Sequence, residues 1–311
     1  MSRKKWIVKS GDKENATKLS EELNISPYAA LIASTRGINT SEEAKDFFGM
    51  GERRSVDPMD FPDMYPAVKR IQKALDEFER IAIYGDYDAD GVTSTALLYS
   101  YLEMQGADVV YYVPNRHTEG YGLSYEAIDK LSMMGVKLVI TVDNGISAVE
   151  EAKYINELEM ELIVTDHHLP SDTLPQAVAV IDPHREDCNL EFKDYAGVGV
   201  AYKLICALEG EENGVTDSFA DLVTIGTVAD VMPLIKENRE LFPVVTIIIM
   251  EAFINKMRRL KGVRKQLIVE EAWKALSSAN MAEYLRYMYK TVRKYYGEAI
   301  VVTQEVDDII S

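Results

Sequence analysis

The sequence predicts an α/β protein built on a five-stranded parallel sheet flanked by helices. Two observations predict this fold class: short apolar runs recur along the chain, and segments with a helical spacing of apolar residues separate most of them. In such an alternation the strands lie parallel and are joined by right-handed crossovers. The runs are apolar on both sides, as expected for strands covered by helices on both faces of the sheet. The predicted strands are residues 81–84, 109–113, 138–142, 162–165 and 178–181.

The N-terminal segment, residues 1–66, is predicted to be helical. Ser26 followed by Pro27 is typical of a helix start, and this helix is expected to end near Gly37. Thr40 precedes two acidic residues, a pattern that favours the start of a second helix. Apolar residues at helical spacing from 68 to 79 belong to the sheet-containing domain, which we place at residues 67–238.

Further helices are predicted between and after the strands, at residues 93–103, 124–131, 148–158, 198–208 and 221–228. Residues 239–311 are predicted to form a helical C-terminal region, with helices at 239–252 and 270–296. Three parts are therefore expected: a helical N-terminal segment, a sheet-containing domain and a helical C-terminal region.

Composition narrows the class of protein. The chain has 311 residues, of which 47% are hydrophobic, so a buried core is expected and general disorder is excluded. No apolar run reaches the roughly 20 residues of a membrane span, and no apolar segment of a signal peptide follows the basic N-terminus. Two cysteines are too few for a disulfide framework. We therefore expect a cytoplasmic protein that does not bind membranes.

Charge is distributed unevenly along the chain. The net charge is −17, yet residues 256–294 carry 11 Lys or Arg against three Glu. Tyrosines are interleaved with these basic residues, a combination that single-stranded nucleic acid binding uses. An amphipathic helix with buried tyrosines and solvated lysines accounts for the same pattern, so both interpretations stay open. Candidate nucleic-acid contacts are Arg258, Arg259, Arg264 and Lys265.

Acidic and imidazole side chains follow the predicted strands. In an open parallel sheet, ligands bind at the carboxyl ends of the strands. Three acids at this edge, Asp86, Asp88 and Asp90, stand within five residues and repel one another unless a bound cation compensates them. The same edge is predicted to carry Arg116, His117, Asp143, Asp166, His167, His168, Asp182 and His184.

The type of cation follows from the ligands. Carboxylates with one or two imidazoles and no thiolate suit Mn²⁺ or Mg²⁺, with Co²⁺ or Zn²⁺ as alternatives. A calcium-binding EF-hand also begins with Asp-x-Asp-x-Asp-Gly, but it requires Glu at the twelfth position of its loop. Counted from Asp86, that position is Leu97, which excludes the EF-hand.

Six motifs in order give the chain a family resemblance. They resemble the DHH phosphoesterases and, among these, the RecJ single-strand-specific exonucleases. This resemblance implies a five-stranded parallel sheet, two divalent metal ions, usually Mn²⁺, and hydrolysis of single-stranded DNA from the 5′ end to 5′-mononucleotides. The motifs are Asp86-Tyr-Asp-Ala-Asp-Gly91, Asn115-Arg116 with Glu119-Gly-Tyr-Gly-Leu123, Thr141-Val-Asp143-Asn-Gly-Ile146, Asp166-His-His168, Ala196-Gly-Val-Gly-Val-Ala201 and Gly226-Thr-Val-Ala-Asp230-Val-Met-Pro233.

The resemblance also implies roles for individual residues. Asp88 and Asp143, with Asp86, would hold one metal ion. The other would be held by Asp90, Asp143, His167 and Asp230, so that Asp143 bridges the pair. His168 would face the scissile phosphate as a catalytic residue. The implied substrate contacts are Arg116, His117 and the turn containing Gly197 and Gly199.

Three functional hypotheses remain at this point. The first is the single-strand exonuclease, a hydrolase of phosphodiester bonds whose partner is single-stranded DNA. The second is a phosphodiesterase of short oligonucleotides or a cyclic dinucleotide product, because the Gly-Gly-His motif of the second RecJ domain is absent from this sequence. The third is a non-catalytic scaffold that binds replication or repair proteins. Competent residues at the matched ligand positions argue against the third.

Overall fold

The computed structural model describes residues 12–48, 50, 55–116, 118–210, 214–260, 264–269, 286–287, 289–295 and 297–301. They fall into two compact units, which divide between Ser55 and Val56. The division into 1–66, 67–238 and 239–311 stays a prediction. Its first boundary lies inside a helix of the second unit, Met64–Asp76.

The N-terminal unit contains three helices, α1 (Lys13–Leu23), α2 (Pro27–Thr35) and α3 (Ser41–Phe48), so the helical prediction for this segment is confirmed in its described part. Side-chain oxygens cap the first two helices: Asp12 accepts a hydrogen bond from the N–H of Glu14, and Ser26 accepts one from Ala29. Small apolar residues bring the helices together, because Ala16, Leu19, Ala30 and Ala44 form one buried cluster.

The second unit is built on the predicted five-stranded sheet. Its strands are β1 (Ile81–Tyr84), β2 (Val109–Tyr112), β3 (Leu138–Val142), β4 (Glu161–Thr165) and β5 (Ala179–Ile181). All neighbours pair in parallel, in the order β2-β1-β3-β4-β5. Each strand end lies within one residue of its predicted position, since the apolar runs are short and bounded by polar residues.

Helices cover both faces of the sheet, and the strands are therefore buried on both sides. Alternate residues of β1 point to opposite cores: Ile81 and Ile83 to one, Ala82 and Tyr84 to the other. Residues of α4 (Met64–Asp76), α5 (Ala89–Met104) and α8 (Gly197–Glu209) fill the first core. Residues of α6 (Tyr125–Met133) and α7 (Val149–Glu157) fill the second.

The remaining described helices are α9 (Gly214–Asp217), α10 (Ala220–Ala229) and α11 (Phe242–Arg259). Helix α10 packs against α5 and α8. A short 3-10 helix, Lys236–Leu241, precedes α11, so α11 begins three residues after the predicted start at 239. None of the helices in the described part of the chain has both the length and the hydropathy that crossing a bilayer requires.

The C-terminal region differs from the prediction. Residues 239–311 were expected to be helical, but β6 (Lys265–Val269) and β7 (Gly297–Val301) form a two-stranded parallel sheet. The prediction was wrong for these strands because it followed the basic and tyrosine residues around them and overlooked two short runs rich in Ile and Val, which favour strands. Of the helix predicted at 270–296, residues 270–285, 288 and 296 lie outside the described residues.

Strand order fixes where a ligand site forms. Strand β1 pairs with β2 on one side and β3 on the other, so the connections diverge at the carboxyl ends of β1 and β3. In doubly wound sheets this point leaves a crevice at which ligands bind. The loops after β1 and β3 carry Asp86, Asp88 and Asp143.

Candidate metal centre

The acidic motif after β1 is split between a loop and a helix. The Oδ1 atom of Asp88 accepts a hydrogen bond from the N–H of Gly91 at 2.9 Å and so caps α5. Helix α5 therefore begins at Ala89, four residues before the predicted start at 93, and Asp90 lies buried in its first turn. A Cβ atom on Gly91 would lie 2.6 Å from the carbonyl oxygen of Asp86, so this tight turn needs glycine.

Asp90 is held by the N-terminus of helix α8. Its Oδ2 atom accepts a hydrogen bond from the N–H of Gly197 at 2.6 Å, and its Oδ1 atom accepts one from Val198 at 3.0 Å. A helix N-terminus favours negative charge, and here it receives a carboxylate of the protein itself.

The two glycines of this turn have structural roles, and their implied substrate contact stays a prediction. The N–H of Gly197 is donated to Asp90, and that of Gly199 is donated to the carbonyl of Ala196. A Cβ atom on Gly197 would lie 2.6 Å from Oδ1 of Asp143. Gly197 therefore lets α8 pack closely against Asp143. Motif order alone could not show that the N-terminus of this helix meets Asp90.

Asp143 follows β3 at the centre of the sheet. It has a left-handed backbone with φ of 60° and is buried. The next residue, Asn144, donates from Nδ2 to the carbonyl oxygens of Tyr84 and Val142, which ties the ends of β1 and β3 together. The carboxylate of Asp143 is thus fixed next to the loop that follows β1.

His167, in the loop that follows β4, lies next to these carboxylates. Its Nε2 atom lies 3.0 Å from Oδ1 of Asp143 and 3.8 Å from Oδ2 of both Asp90 and Asp230. Asp230 is the C-cap of α10, so the group draws on four separate chain segments. Ligand atoms of Asp90, His167 and Asp230 lie within 4.8 Å of one another, as do those of Asp86, Asp88 and Asp143. The structure therefore brings together all six predicted metal ligands.

The electrostatics of these carboxylates favour a bound cation. Burial, with the neighbouring Asp143, raises the pKa of Asp90 to about 7, and burial, with Asp88 and Asp166 nearby, raises that of Asp143 to about 8. Burial is also the main reason that the pKa of Asp86 is raised. Among the described residues, Oδ1 of Asp86 and Oδ1 of Asp143 are buried without a hydrogen-bond partner. Divalent metal ions fit this donor set, because they compensate the charge and coordinate both oxygens.

Asp166, the first residue of the Asp-His-His motif, has a supporting role that the sequence left unassigned. Its Oδ2 atom accepts the N–H of Ile146, while its Oδ1 atom accepts the N–H groups of His167 and His168 and lies 2.7 Å from Nδ1 of His168. Burial opposes its ionised form, but the contact with His168 and these N–H donors outweigh burial and lower its pKa. Asp166 thus orients both histidines.

His168 is the counterpart of that contact. The hydrogen bond with Asp166 raises the pKa of His168 to about 9, against the opposing effect of burial. Its side chain is 47% exposed, and its ring lies 6.1 Å from that of Tyr121. A protonated imidazole at the open side of the carboxylate cluster is well suited to contact an anionic ligand.

The other predicted contacts are placed less centrally. Arg116 is exposed, and its guanidinium lies 5.4 Å from the ring centre of Tyr87 in the acidic motif. His117 lies outside the described residues. Arg258 and Arg259 lie in the last turn of α11. Arg264 is exposed beside β6, which begins at Lys265.

Two further titratable residues, Asp182 and His184, belong to none of the candidate ligand groups of the described residues. Burial raises the pKa of Asp182 to about 7 and lowers that of His184. Oδ1 of Asp182 accepts the N–H of His184 at 2.6 Å, the turn geometry expected where Asp precedes Pro183.

Gly226 of helix α10 opens the sixth motif, but the sequence interpretation assigned it no role. A Cβ atom there would lie 2.5 Å from Oδ1 of Asp90, so only glycine lets α10 approach the first turn of α5. A glycine in the interior of an apolar helix was the available signal, because glycine costs helix stability unless close packing requires it.

Comparisons with known proteins agree with this geometry. Residues 80–227 match the family model described as the DHH family, N-terminal domain. The chain is 42% identical over 238 residues to the single-stranded-DNA-specific exonuclease RecJ of Bacillus subtilis (strain 168), a match that covers 76% of this chain. The chain belongs to the DHH family. RecJ of Escherichia coli (strain K12) is 40% identical to this DHH protein over 230 residues, 68% of the chain.

These matches cover only part of each relative. The DHH protein spans 30% of the Bacillus RecJ and 38% of the Escherichia RecJ, about a third of their length. A crystal structure of exonuclease RecJ bound to manganese matches with a TM-score of 0.55 and 37% identity, over 61% of this chain and 48% of the other. RecJ of Thermus thermophilus in complex with Mn²⁺ matches with a TM-score of 0.61 and 27% identity, over 92% of this chain and 36% of the other.

A second family model, the TraG P-loop domain, matches residues 219–311 of the DHH protein. The sequence interpretation gave no sign of this match. The matched segment includes α11, β6 and β7 and contains no Gly-x-x-x-x-Gly-Lys-Ser/Thr sequence, the motif that binds phosphates in P-loop proteins.

We expect Asp143→Asn to separate metal binding from folding. Asn removes a buried charge at a position where one oxygen accepts no hydrogen bond from the described residues, so the metal-free variant should melt no lower than the wild type. Mn²⁺ should raise the melting temperature of the wild type but not of the variant, with Mn²⁺ affinity reduced on the order of 100-fold. The exposed Asp172→Asn is the control. A normal Mn²⁺ response in Asp143→Asn would contradict the shared-ligand role.

Gly197→Ala tests the close packing of helix α8 on the centre. The added Cβ would meet both the side chain and the backbone of Asp143, so α8 must shift away from Asp90. We expect a loss of stability of about 1–3 kcal/mol from overpacking and a weaker Mn²⁺ response in thermal melts. Gly214→Ala, where the Cβ has nothing within 4 Å, is the matched control. Equal behaviour of the two variants would show that the approach is not critical.

Proposed function

We propose that this protein is a metal-dependent phosphodiesterase that hydrolyses single-stranded DNA from its 5′ end to 5′-mononucleotides. The observation that carries the proposal is the meeting of two ligand groups, Asp90-His167-Asp230 and Asp86-Asp88-Asp143, at the 3.0 Å contact between Asp143 and His167. Relatives named as single-stranded-DNA-specific exonucleases, at 40–42% identity, support the choice of substrate.

The protein's contribution is a rigid ligand set. Asp86, Asp88 and Asp143 would hold one divalent ion, and Asp90, His167 and Asp230 the other, with Asp143 placed to serve both. A pair of such ions supplies an activated water and neutralises charge on the attacking and leaving oxygens of a phosphodiester. Mn²⁺ is our first choice, with Mg²⁺ or Co²⁺ as alternatives, because Mn²⁺ and Mg²⁺ both occur in RecJ structures.

His168 and Arg116 supply positive charge for the substrate phosphates. The hydrogen bond from His168 to Asp166 keeps the imidazole protonated at neutral pH and fixes its ring. Arg116 offers a planar group that binds phosphate oxygens in pairs. Its guanidinium lies over the ring of Tyr87, the residue between Asp86 and Asp88 in the sequence. Both side chains act by binding and orienting the phosphodiester.

The scaffold hypothesis is disfavoured by the site itself. Asp86, Asp90 and Asp143 are buried carboxylates that repel one another and so lower stability, a cost that a bound cation compensates but a scaffold without metal does not require. Protein partners in replication or repair stay a prediction.

A length series of 5′-labelled oligonucleotides, from about two to thirty nucleotides, tests which phosphodiesters the two-metal site hydrolyses. With Mn²⁺ we expect mononucleotide release from the long strands, and none with chelator. Paired duplexes are the control for strand specificity. Cleavage of only the shortest strands would instead identify a short-oligonucleotide phosphodiesterase. No turnover by a folded, Mn²⁺-stabilised protein would support the scaffold hypothesis.

Charge reversal tests the C-terminal basic segment. Replacing Arg258, Arg259, Arg264 and Lys265 with Glu should weaken single-strand binding and lower its salt dependence by about 0.7 in log–log slope for each phosphate that these side chains neutralise in the wild type. The control replaces four exposed lysines of α1 and α4, Lys13, Lys18, Lys69 and Lys73, with Glu, which changes the net charge equally. Binding that is unchanged at low salt, or reduced equally by both variants, would remove this segment from the mechanism.

A further inference from the structure

Glu119 closes the turn that carries Arg116. The N–H groups of Thr118 and Glu119 both donate to the carbonyl of Asn115, at 3.1 and 2.9 Å. The Oε2 atom of Glu119 then accepts the N–H of Asn115 at 3.0 Å. The backbone of Glu119 therefore binds the carbonyl of Asn115 and its side chain binds the N–H of Asn115. Arg116 lies within the turn that these hydrogen bonds close.

The second oxygen of Glu119 fixes this turn to the sheet. Oε1 accepts a hydrogen bond from the hydroxyl of Tyr112, the last residue of β2, at 2.8 Å. The N–H of Asn115 and the hydroxyl of Tyr112 both lower the pKa of Glu119, so its carboxylate stays ionised. Lys130 of α6 approaches the same oxygen at 3.7 Å, an exposed pair that contributes little.

The other end of the loop is held in the same way. The hydroxyl of Tyr84, the last residue of β1, donates to the carbonyl of Gly122 at 3.1 Å. The rings of Tyr84 and Tyr112 lie 5.2 Å apart. Two tyrosines at neighbouring strand ends thus anchor both ends of the loop, and Tyr84 stands two residues before Asp86 of the metal group.

The anchored loop presents two side chains to the metal centre. Arg116 extends from the turn over the ring of Tyr87, and Tyr121 meets the ring of His168 edge-on. Arg116 has an exposed, flexible side chain, so its reach depends on where its backbone is held. The carboxylate of Glu119 faces Asn115 and Tyr112, and Glu119 belongs to none of the ligand groups of the described residues.

We propose that Glu119 is a positioning residue that holds Arg116 in place to bind a substrate phosphate beside the metal centre. The inference rests on the proposed function for the identity of the substrate. It assigns the ionised carboxylate of Glu119 to recognition of the nucleic acid, through Arg116, and not to metal binding.

Kinetics on a 5′-phosphorylated single strand with Mn²⁺ test the proposal. Glu119→Ala should raise KM about tenfold with kcat within about twofold, because ground-state binding through Arg116 is weakened. Glu119→Gln keeps an acceptor for Asn115 or Tyr112 and should recover most of the affinity. Glu126→Ala, an exposed neighbour on α6, is the matched control. In an Arg116→Ala background, Glu119→Ala should have no further effect on KM.

A readout without DNA keeps this inference separate from the proposed function. Trypsin cleaves after arginine, so the bond after Arg116 is a site whose cleavage follows local opening of the turn. Cleavage there should be about tenfold faster in Glu119→Ala than in the wild type and unchanged in Glu126→Ala. The Mn²⁺ response in thermal melts should be unchanged. An inactive wild type would overturn the proposed function and leave the proteolysis to decide on the positioning role. The inference would be overturned if Glu119→Ala left both KM and the rate of cleavage unchanged. It would also be overturned if Glu119→Ala raised KM equally in the wild type and in the Arg116→Ala background.

Discussion

Burial of several carboxylates at the carboxyl ends of β1 and β3 is the constraint on which the rest of the structure depends. Asp86, Asp90 and Asp143 are all nearly inaccessible to solvent, and their pKa values are raised mainly by that burial. The N-terminus of α8 satisfies Asp90 with two N–H groups. Among the described residues, Oδ1 of Asp86 and of Asp143 accept no hydrogen bond, so a cation at this edge would compensate their burial.

Three glycines set the distances within this centre. Gly91 lets the chain turn tightly at Asp86, Gly197 lets α8 approach Asp143, and Gly226 lets α10 reach Asp90. Each approach is closer than a Cβ atom permits, and each brings a different helix to the same sheet edge. The ligand geometry is therefore a property of how α5, α8 and α10 pack, and the loops at the strand ends complete it.

Most of the fold, and all six residues of the candidate ligand set, could be predicted from the sequence. Apolar runs gave the five strands to within one residue, acids at strand ends pointed to Asp86 and Asp143, and the family resemblance added Asp230. Local patterns could not show that α8 donates its N–H groups to Asp90, because that contact joins residues 107 apart in the chain. The β6–β7 pair was missed for a different reason: the basic and tyrosine residues around these short runs of Ile and Val favoured a helix in the interpretation.

Hydrogen-bond donors separate four carboxylates around this site into two kinds. Asp166 and Glu119 receive N–H and side-chain donors on both oxygens, so their pKa values are lowered and their lone pairs are engaged. Asp86 and Asp143 each keep one oxygen that accepts no hydrogen bond from the part of the chain that the structure describes, and their pKa values are raised. Asp166 and Glu119 orient their neighbours, whereas Asp86 and Asp143 keep an oxygen available to a cation. Asp90 combines both features, because it accepts two N–H groups from α8 and still lies in a candidate ligand group. Asp166, the acid of the Asp-His-His motif, therefore belongs to the orienting kind, and so does Glu119 in the loop that follows β2.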